Sequence, residues 1–217
     1  MKNRLTLILE ILLFLIVIVF IGVVVFDIYQ GKQTDKNVKD ILDKLDEQIA
    51  INTIETPNIE ISNTDKTSDS DKISNTENKN IKGTLSVNNS IVYGKIEIPS
   101  INLKYPILEY NDYNLKNSIC NLSGSLINGT GNLCIAGHNT SNGRLFGKLR
   151  NVKSGDIIDV TNIYGQNFKY LVFKTTKVDK DDNSLLKHSS DSIITLITCT
   201  NSAKQRLIVQ GQLISQK

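Results

Sequence analysis

The apolar run Thr195-Leu196-Ile197-Thr198 ends on Cys199, and seven residues later Arg206 opens another apolar run. A polar loop, Thr200 to Lys204, lies between them. A cysteine at the mouth of a strand meets solvent, whereas one in mid-strand is packed. If the two runs are antiparallel neighbours, thiol and guanidinium emerge side by side at one end of a sheet. A third group, His138, follows Gly137 at the end of the run Leu133 to Ala136. A thiol with its ordinary pKa of about 8.5 is a weak nucleophile at neutral pH, and a nearby imidazole or guanidinium favours the thiolate. Its attack on an amide creates an oxyanion and then an amine leaving group. Arg206 or backbone amides near Cys199 suit the first, and protonated His138 suits the second. Singly, each residue has a plainer reading: a packed cysteine, a turn histidine, a surface arginine. Together they point to acyl transfer through a covalent cysteine intermediate.

Other groups compete for these roles. His188, in Lys187-His188-Ser189-Ser190-Asp191, is a rival proton donor in a polar loop and reads as a surface residue. Cys120 and Cys134 are either packed thiols or, in an oxidising exterior, partners in a disulfide that leaves Cys199 free. Three cysteines and two histidines form neither a Cys-x-x-Cys nor a His-Glu-x-x-His pattern, so no zinc site and no cofactor is expected. Asp179, Asp181 and Asp182 could suggest a calcium loop, but they lack a regular ligand spacing and read as a solvated turn, leaving no metal site.

The elements that must position these groups begin after a long N-terminal preamble. Leu5 to Phe26 is a 22-residue stretch interrupted only by Thr6, Glu10 and Gly22. Its length suits a helix crossing a hydrocarbon layer of about 30 Å. Lys2 and Arg4 precede it, which predicts a cytoplasmic N-terminus and an extracellular remainder. No small-x-small cleavage site follows Phe26, so an uncleaved single-pass anchor in the cell membrane is expected over residues 1–30. Val38, Ile41, Leu42, Leu45 and Ile49 recur at helical spacing and predict an amphipathic helix over Lys36 to Ala50. That helix would pair with a copy of itself, lie on membrane lipid, or stand as a marginal helix without a partner. Asn52 to Asn80 is too poor in apolar groups to offset its ordering entropy and reads as a flexible tether, completing a linker region over 31–85.

A globular unit is expected over 86–217. Strands are predicted at Ile91 to Ile98, Ile101 to Leu108, Asn132 to Ala136, Asp156 to Thr161, Asn167 to Lys174, Ile193 to Cys199 and Gln205 to Leu213. Short helical pieces are predicted at Tyr113 to Ser118 and Leu145 to Arg150. The fold class is all-β, a closed barrel or a sandwich of seven or eight strands around one core. Residues 88–217 hold 15 Lys or Arg against 9 Asp or Glu, which suits work near anionic wall polymers. The cations are scattered without an aromatic-interleaved patch, so nucleic acid is not an expected partner.

Thr-Leu-x-Thr-Cys, an Arg seven residues on and a Gly-His pair about sixty residues upstream resemble the sortases of Gram-positive bacteria. Tyr93 to Ile101, Gly131 to His138 and the Lys-x-Gly-Asp core of Leu149 to Asp156 add to the resemblance, which covers about residues 88–214. It implies a closed eight-stranded barrel that cleaves a sorting signal like Leu-Pro-x-Thr-Gly after the Thr. The acyl group would be held as a thioester on Cys199 and passed to an amine. Implied partners are surface proteins with a C-terminal sorting signal and a peptidoglycan or lipid-precursor amine, or a pilin lysine. By the same resemblance His138, Cys199 and Arg206 are catalytic. Thr198 shapes the substrate side and assists the oxyanion, and Asn139 stands in the outer binding wall where many relatives carry Arg. A second hydrophobic stretch and an Asp-Pro-Trp-like lid are missing, which points toward the class D or class A enzymes rather than the pilus-polymerising class. Two rivals remain. An L,D-transpeptidase expects a Ser-x-Gly-Cys-Arg-like run, unlike Ile197-Thr198-Cys199-Thr200. A tethered β module that binds a wall component would tolerate loss of Cys199, His138 or Arg206 singly.

Overall fold

The computed structural model describes residues 4–54, 85–126, 129–200 and 202–217. These form two compact units, Met1–Asp40 and Ile41–Lys217. The first is built from the N-terminal part of helix α1 (Arg4–Ile54). Its apolar side chains from Leu7 to Phe26 are exposed, and α1 is long and apolar enough to cross a membrane. The two helices expected from the sequence are one element. Gly31 lies between them, but a single glycine costs only about 1 kcal/mol in a helix, and no proline stands there to break it.

The second unit is a barrel. Its strands are β1 (Leu85–Val87), β2 (Ser90–Ile98), β3 (Leu103–Glu109), β4 (Ile119–Ser123), β5 (Asn132–Ala136), β6 (Ile157–Asn162), β7 (Asn167–Asp179), β8 (Ile193–Thr200) and β9 (Gln205–Gln216). They pair in the order β1-β2-β3-β4-β5-β8-β9-β7-β6, and β6 returns to β2. That last pairing, with Ile96 opposite Val160, closes an eight-stranded barrel from β2 to β9. Strand β1 lies outside the ring as the first arm of a hairpin with β2, turned by Asn88 and Asn89, both at positive φ. Inside, Ile96, Ile107, Ile135, Ile158, Phe168, Tyr170 and Leu196 are fully enclosed. Strand β2 shows why: buried and part-exposed positions alternate along it, with Ile96 and Ile98 turned to the core and, beyond a register shift between Val92 and Gly94, Val92 turned to the outer wall.

Several expected boundaries move. Strand β4 was not anticipated, because its apolar content is too short to show an alternation. The expected strand from Ile101 begins at Leu103, after a 3-10 turn over Pro99–Ile101 that closes on left-handed Asn102. Strands β7 and β9 run further than their apolar stretches because they pair with each other from Asp179↔Gln205 to Phe168↔Gln216. Tertiary pairing there outweighs the weak strand preference of Lys and Asp. Helix α2 (Asp112–Asn117) forms as expected, with the Asn111 side chain accepting from Asn114 N at 2.8 Å. The segment Leu145 to Arg150 forms no α-helix; only a 3-10 turn, Leu149–Asn151, appears, and Leu145 sits at φ 49°.

The amphipathic stripe of α1 finds a partner that the sequence did not specify. Ile41, Leu45 and Ile49 pack on the barrel wall against Val87, Val92, Leu108, Cys120 and Ile163. Asp46 pairs with Lys95 at 2.7 Å, and Asn52 Nδ2 donates to the Ile163 carbonyl at 2.9 Å. Asn52 to Ile54, expected to open the tether, finish the helix. The rest of the expected tether lies outside the described residues.

Candidate active site

Strands β5 and β8 are adjacent and parallel, with Ala136 opposite Ile197. Parallel neighbours end at the same rim, so the residues that follow β5 and those that finish β8 emerge together. That places Gly137 and His138 beside Thr198 and Cys199. Strand β9 runs antiparallel to β8, and the pairing sets Cys199 directly opposite Arg206. Ile194 and Leu196 of β8 and Leu207 and Val209 of β9 point into the core. Cys199 and Arg206, offset by an odd number of residues from these, stand on the outer face with Ile197 and Ile208.

His138, Cys199 and Arg206 line one open cavity of about 290 Å³. The first is exposed and the other two are half-buried. The Arg206 guanidinium donates from Nη1 to the carbonyls of Ala203, at 3.0 Å, and Gln205, at 3.2 Å. Ser202 and Ala203, in the β8–β9 turn, both sit at positive φ. Of the two remaining residues expected at the site, Thr198 lines the cavity and Asn139 adjoins it through the Cys199 backbone. Thr198 is buried and donates from Oγ1 to the Gly137 carbonyl at 2.7 Å. A hydroxyl has one proton, and here it goes to the Gly137 carbonyl. Asn139 is exposed and its Nδ2 donates to the Cys199 carbonyl at 2.8 Å, joining the histidine loop to the end of β8.

The cavity floor is apolar, built from Ile197, Ile208 and Leu186, with Cys134 buried in the same cluster. The sequence offered only one sign of this floor, an asparagine at the head of an apolar run. Asn132 is buried and donates to the carbonyls of Leu185, at 2.9 Å, and Lys187, at 3.0 Å, pinning the β7–β8 connection. Its Oδ1 accepts from Thr195 Oγ1 at 2.7 Å.

The rival groups lie elsewhere. His188 is exposed and sits beside Gly131, which precedes β5, at the opposite end of that strand from His138. Cys120, Cys134 and Cys199 are all free thiols. Cys120 packs beneath α1 and Cys134 beneath the β7–β8 connection, in separate clusters. Burial pushes the Cys120 thiol up to about 12 and raises that of Cys134, so both stay protonated at neutral pH. Asp182 lies at the cavity rim, where hydrogen bonds from the Ser184 hydroxyl and backbone hold its carboxyl below the usual range. Among the described residues no three Asp, Glu, His or Cys side chains converge on a metal position.

Residues 96–214 match the family model of the sortase domain. Sortase A of Bacillus anthracis is 29% identical over 220 aligned positions, covering 100% of this chain and 98% of that protein. Sortase D of Bacillus subtilis (strain 168) is 32% identical over 131 residues, 56% of this chain and 64% of that one. Among solved structures, sortase A of Listeria monocytogenes superposes with a TM-score of 0.55 at 29% identity, covering 58% of this chain and 89% of its own. With a family model spanning more than half its length and a closed barrel of the same kind, this chain belongs to the sortase family.

Proposed function

We propose that the protein is a membrane-anchored transpeptidase that cleaves a Leu-Pro-x-Thr-Gly-like sorting signal and transfers the released acyl group to an amine of the cell wall. The observation that carries this reading is the Cys199–Arg206 cross-strand pair sharing one cavity with His138. Cys199 Sγ attacks the Thr carbonyl of the signal, and the carbonyl π pair moves onto oxygen, next to the Arg206 guanidinium. Collapse of the adduct breaks the Thr–Gly bond, and protonated His138 gives its proton to the departing amine. The acyl group is then a thioester on Cys199. An incoming amine, losing a proton to His138, attacks the thioester and expels the Cys199 thiolate, which restores the thiolate and protonated imidazole that began the cycle. The apolar floor of Ile197, Ile208 and Leu186 suits the Leu and Pro side chains of such a signal.

The substrates would be surface proteins with a C-terminal sorting signal. The acceptor would be a peptidoglycan or lipid-precursor amine, or a pilin lysine. The apolar half of α1 would cross the membrane with Lys2 and Arg4 inside and the barrel outside. A direct test incubates full-length protein in detergent with a Leu-Pro-x-Thr-Gly peptide, with and without triglycine. Cleavage between Thr and Gly, a triglycine adduct and an acyl mass on Cys199 are expected, all absent in Cys199→Ala. Transfer retained by Cys199→Ala would refute the assignment. His138→Ala is expected to lose nearly as much activity.

A further inference from the structure

The cavity that holds Cys199 reaches further than the apolar floor assigned to the sorting signal. Across the sheet the strands run β4-β5-β8-β9, so Arg206 on β9, Cys199 on β8 and His138 after β5 stand in that order along the cavity. Beyond His138 the wall changes to Leu122 of β4, Leu115 of α2 and Tyr110, which follows β3. The parallel register that sets Glu109 opposite Asn121 brings Tyr110 beside Leu122 one step further on. Tyr110 is 49% exposed and Leu122 38%, so this arm of the cavity offers apolar surface to a ligand. Among the described residues no charged side chain lines it, whereas Lys180, Asp182 and Arg206 line the opposite end.

Tyr110 is exposed, yet its backbone is clamped. Buried Asn114 holds the residue on each side of it: Asn114 Nδ2 donates to the Glu109 carbonyl at 3.0 Å, and the Asn114 backbone N donates to Asn111 Oδ1 at 2.8 Å. Asn114 Oδ1 in turn accepts from Ser90 Oγ at 2.8 Å. A large ring on a fixed backbone gives up little freedom when a ligand covers it. The chemistry says which ligand. His138 protonates the departing amine and later takes the proton of the incoming one, so both amines lie on the His138 side of Cys199, away from Arg206. The acyl chain lies the other way, over Ile197, Ile208 and Leu186. We propose that Tyr110, Leu115 and Leu122 form the acceptor subsite and that Tyr110 is its specificity-determining residue. The ring covers the backbone that follows the nucleophilic amine, and the acceptor is a peptide with no charge next to that amine.

This inference rests on the transpeptidase reading above, and its test is separable from that one. Full-length protein in detergent, acylated by a Leu-Pro-x-Thr-Gly peptide, divides its acyl group between triglycine and water. That division is set after acylation and does not depend on how the signal binds. In Tyr110→Ala the triglycine concentration at which transfer equals hydrolysis should rise about tenfold, as for loss of one aromatic contact at a binding site, while hydrolysis of the thioester stays within about twofold of wild type. Tyr110→Phe keeps the ring and should hold the wild-type division, as should Tyr113→Ala, whose exposed ring lies outside the cavity. Gly-Asp-Gly should accept about fivefold less well than its isostere Gly-Asn-Gly, because the carboxylate loses water against an uncharged wall. An unchanged division in Tyr110→Ala would overturn the proposal, as would an equal shift in Tyr113→Ala or equal acceptance of the two isosteres. In each of those cases the thioester on Cys199 still forms and the transpeptidase reading stands; a wild-type protein that forms no thioester would refute both.

Discussion

Replacing Leu45 with Ala tests whether the second half of α1 is a structural part of the barrel unit. Leu45 is fully buried between the helix and the barrel wall, in contact with the cluster that holds Val92, Leu108 and Cys120. Truncating a buried leucine costs about 2–5 kcal/mol, the spread depending on how far the surroundings close over the gap. A single helix lying on a sheet can settle inward, so the lower part, about 2–3 kcal/mol, is expected here. For a unit of this size each kcal/mol moves Tm by about 2–4 °C, which predicts a drop of roughly 5–10 °C. Circular dichroism of the full-length protein in detergent measures it, with exposed Glu47→Ala as a control expected to change little. Cys120 offers an independent readout, since its thiol is inaccessible beneath the helix. In a Cys199→Ala background, Leu45→Ala should speed the modification of Cys120 by a thiol reagent, followed by mass spectrometry. An unchanged Tm together with an equally protected Cys120 would show that the helix contributes nothing to the fold.

Two further outcomes are expected. Arg206→Lys keeps the positive charge but loses the planar guanidinium, of which Nη1 alone holds the Ala203 and Gln205 carbonyls, so kcat/KM should fall by about tenfold, less than in Arg206→Ala; equal activity of Arg206→Lys and wild type would argue against a role for the remaining guanidinium donors. Asp182, whose carboxyl is held below its usual range by Ser184, stabilises the turn over Ser184–Leu186 above its unfolded pKa; that contribution is lost as pH falls through the lower folded value, so the protection of the Ser184 amide relative to its intrinsic exchange rate at each pH should drop under acid, and Asp182→Asn should abolish this pH dependence.

That His138, Cys199 and Arg206 meet at one rim was readable from the sequence because strand ends are. The apolar runs that finish at Ala136 and Cys199 and begin after Gln205 are long enough to be seen, and reactive residues just beyond them have few places to go. The partnering of those strands was less accessible: β5 and β8 are parallel neighbours although β6 and β7 intervene in the chain. Short Ile119-to-Ser123 carries too little pattern to mark β4. The polar ends of β7 and β9 are strands only because each supplies the other's hydrogen bonds. A stripe of Ile41, Leu45 and Ile49 announces that some apolar surface must be covered, but nothing in its spacing says which. The cavity floor was equally hidden, since it depends on Asn132 reaching across to Leu185 and Lys187, residues more than fifty positions away.

The docking of Asn52 on Ile163 changes what residues 55–84 can do. Asn52 and Leu85 are both fastened to the same body, so the chain between them closes a loop. Doubling such a loop adds only about 0.6 kcal/mol of closure entropy, so insertions and deletions there are nearly free to accumulate.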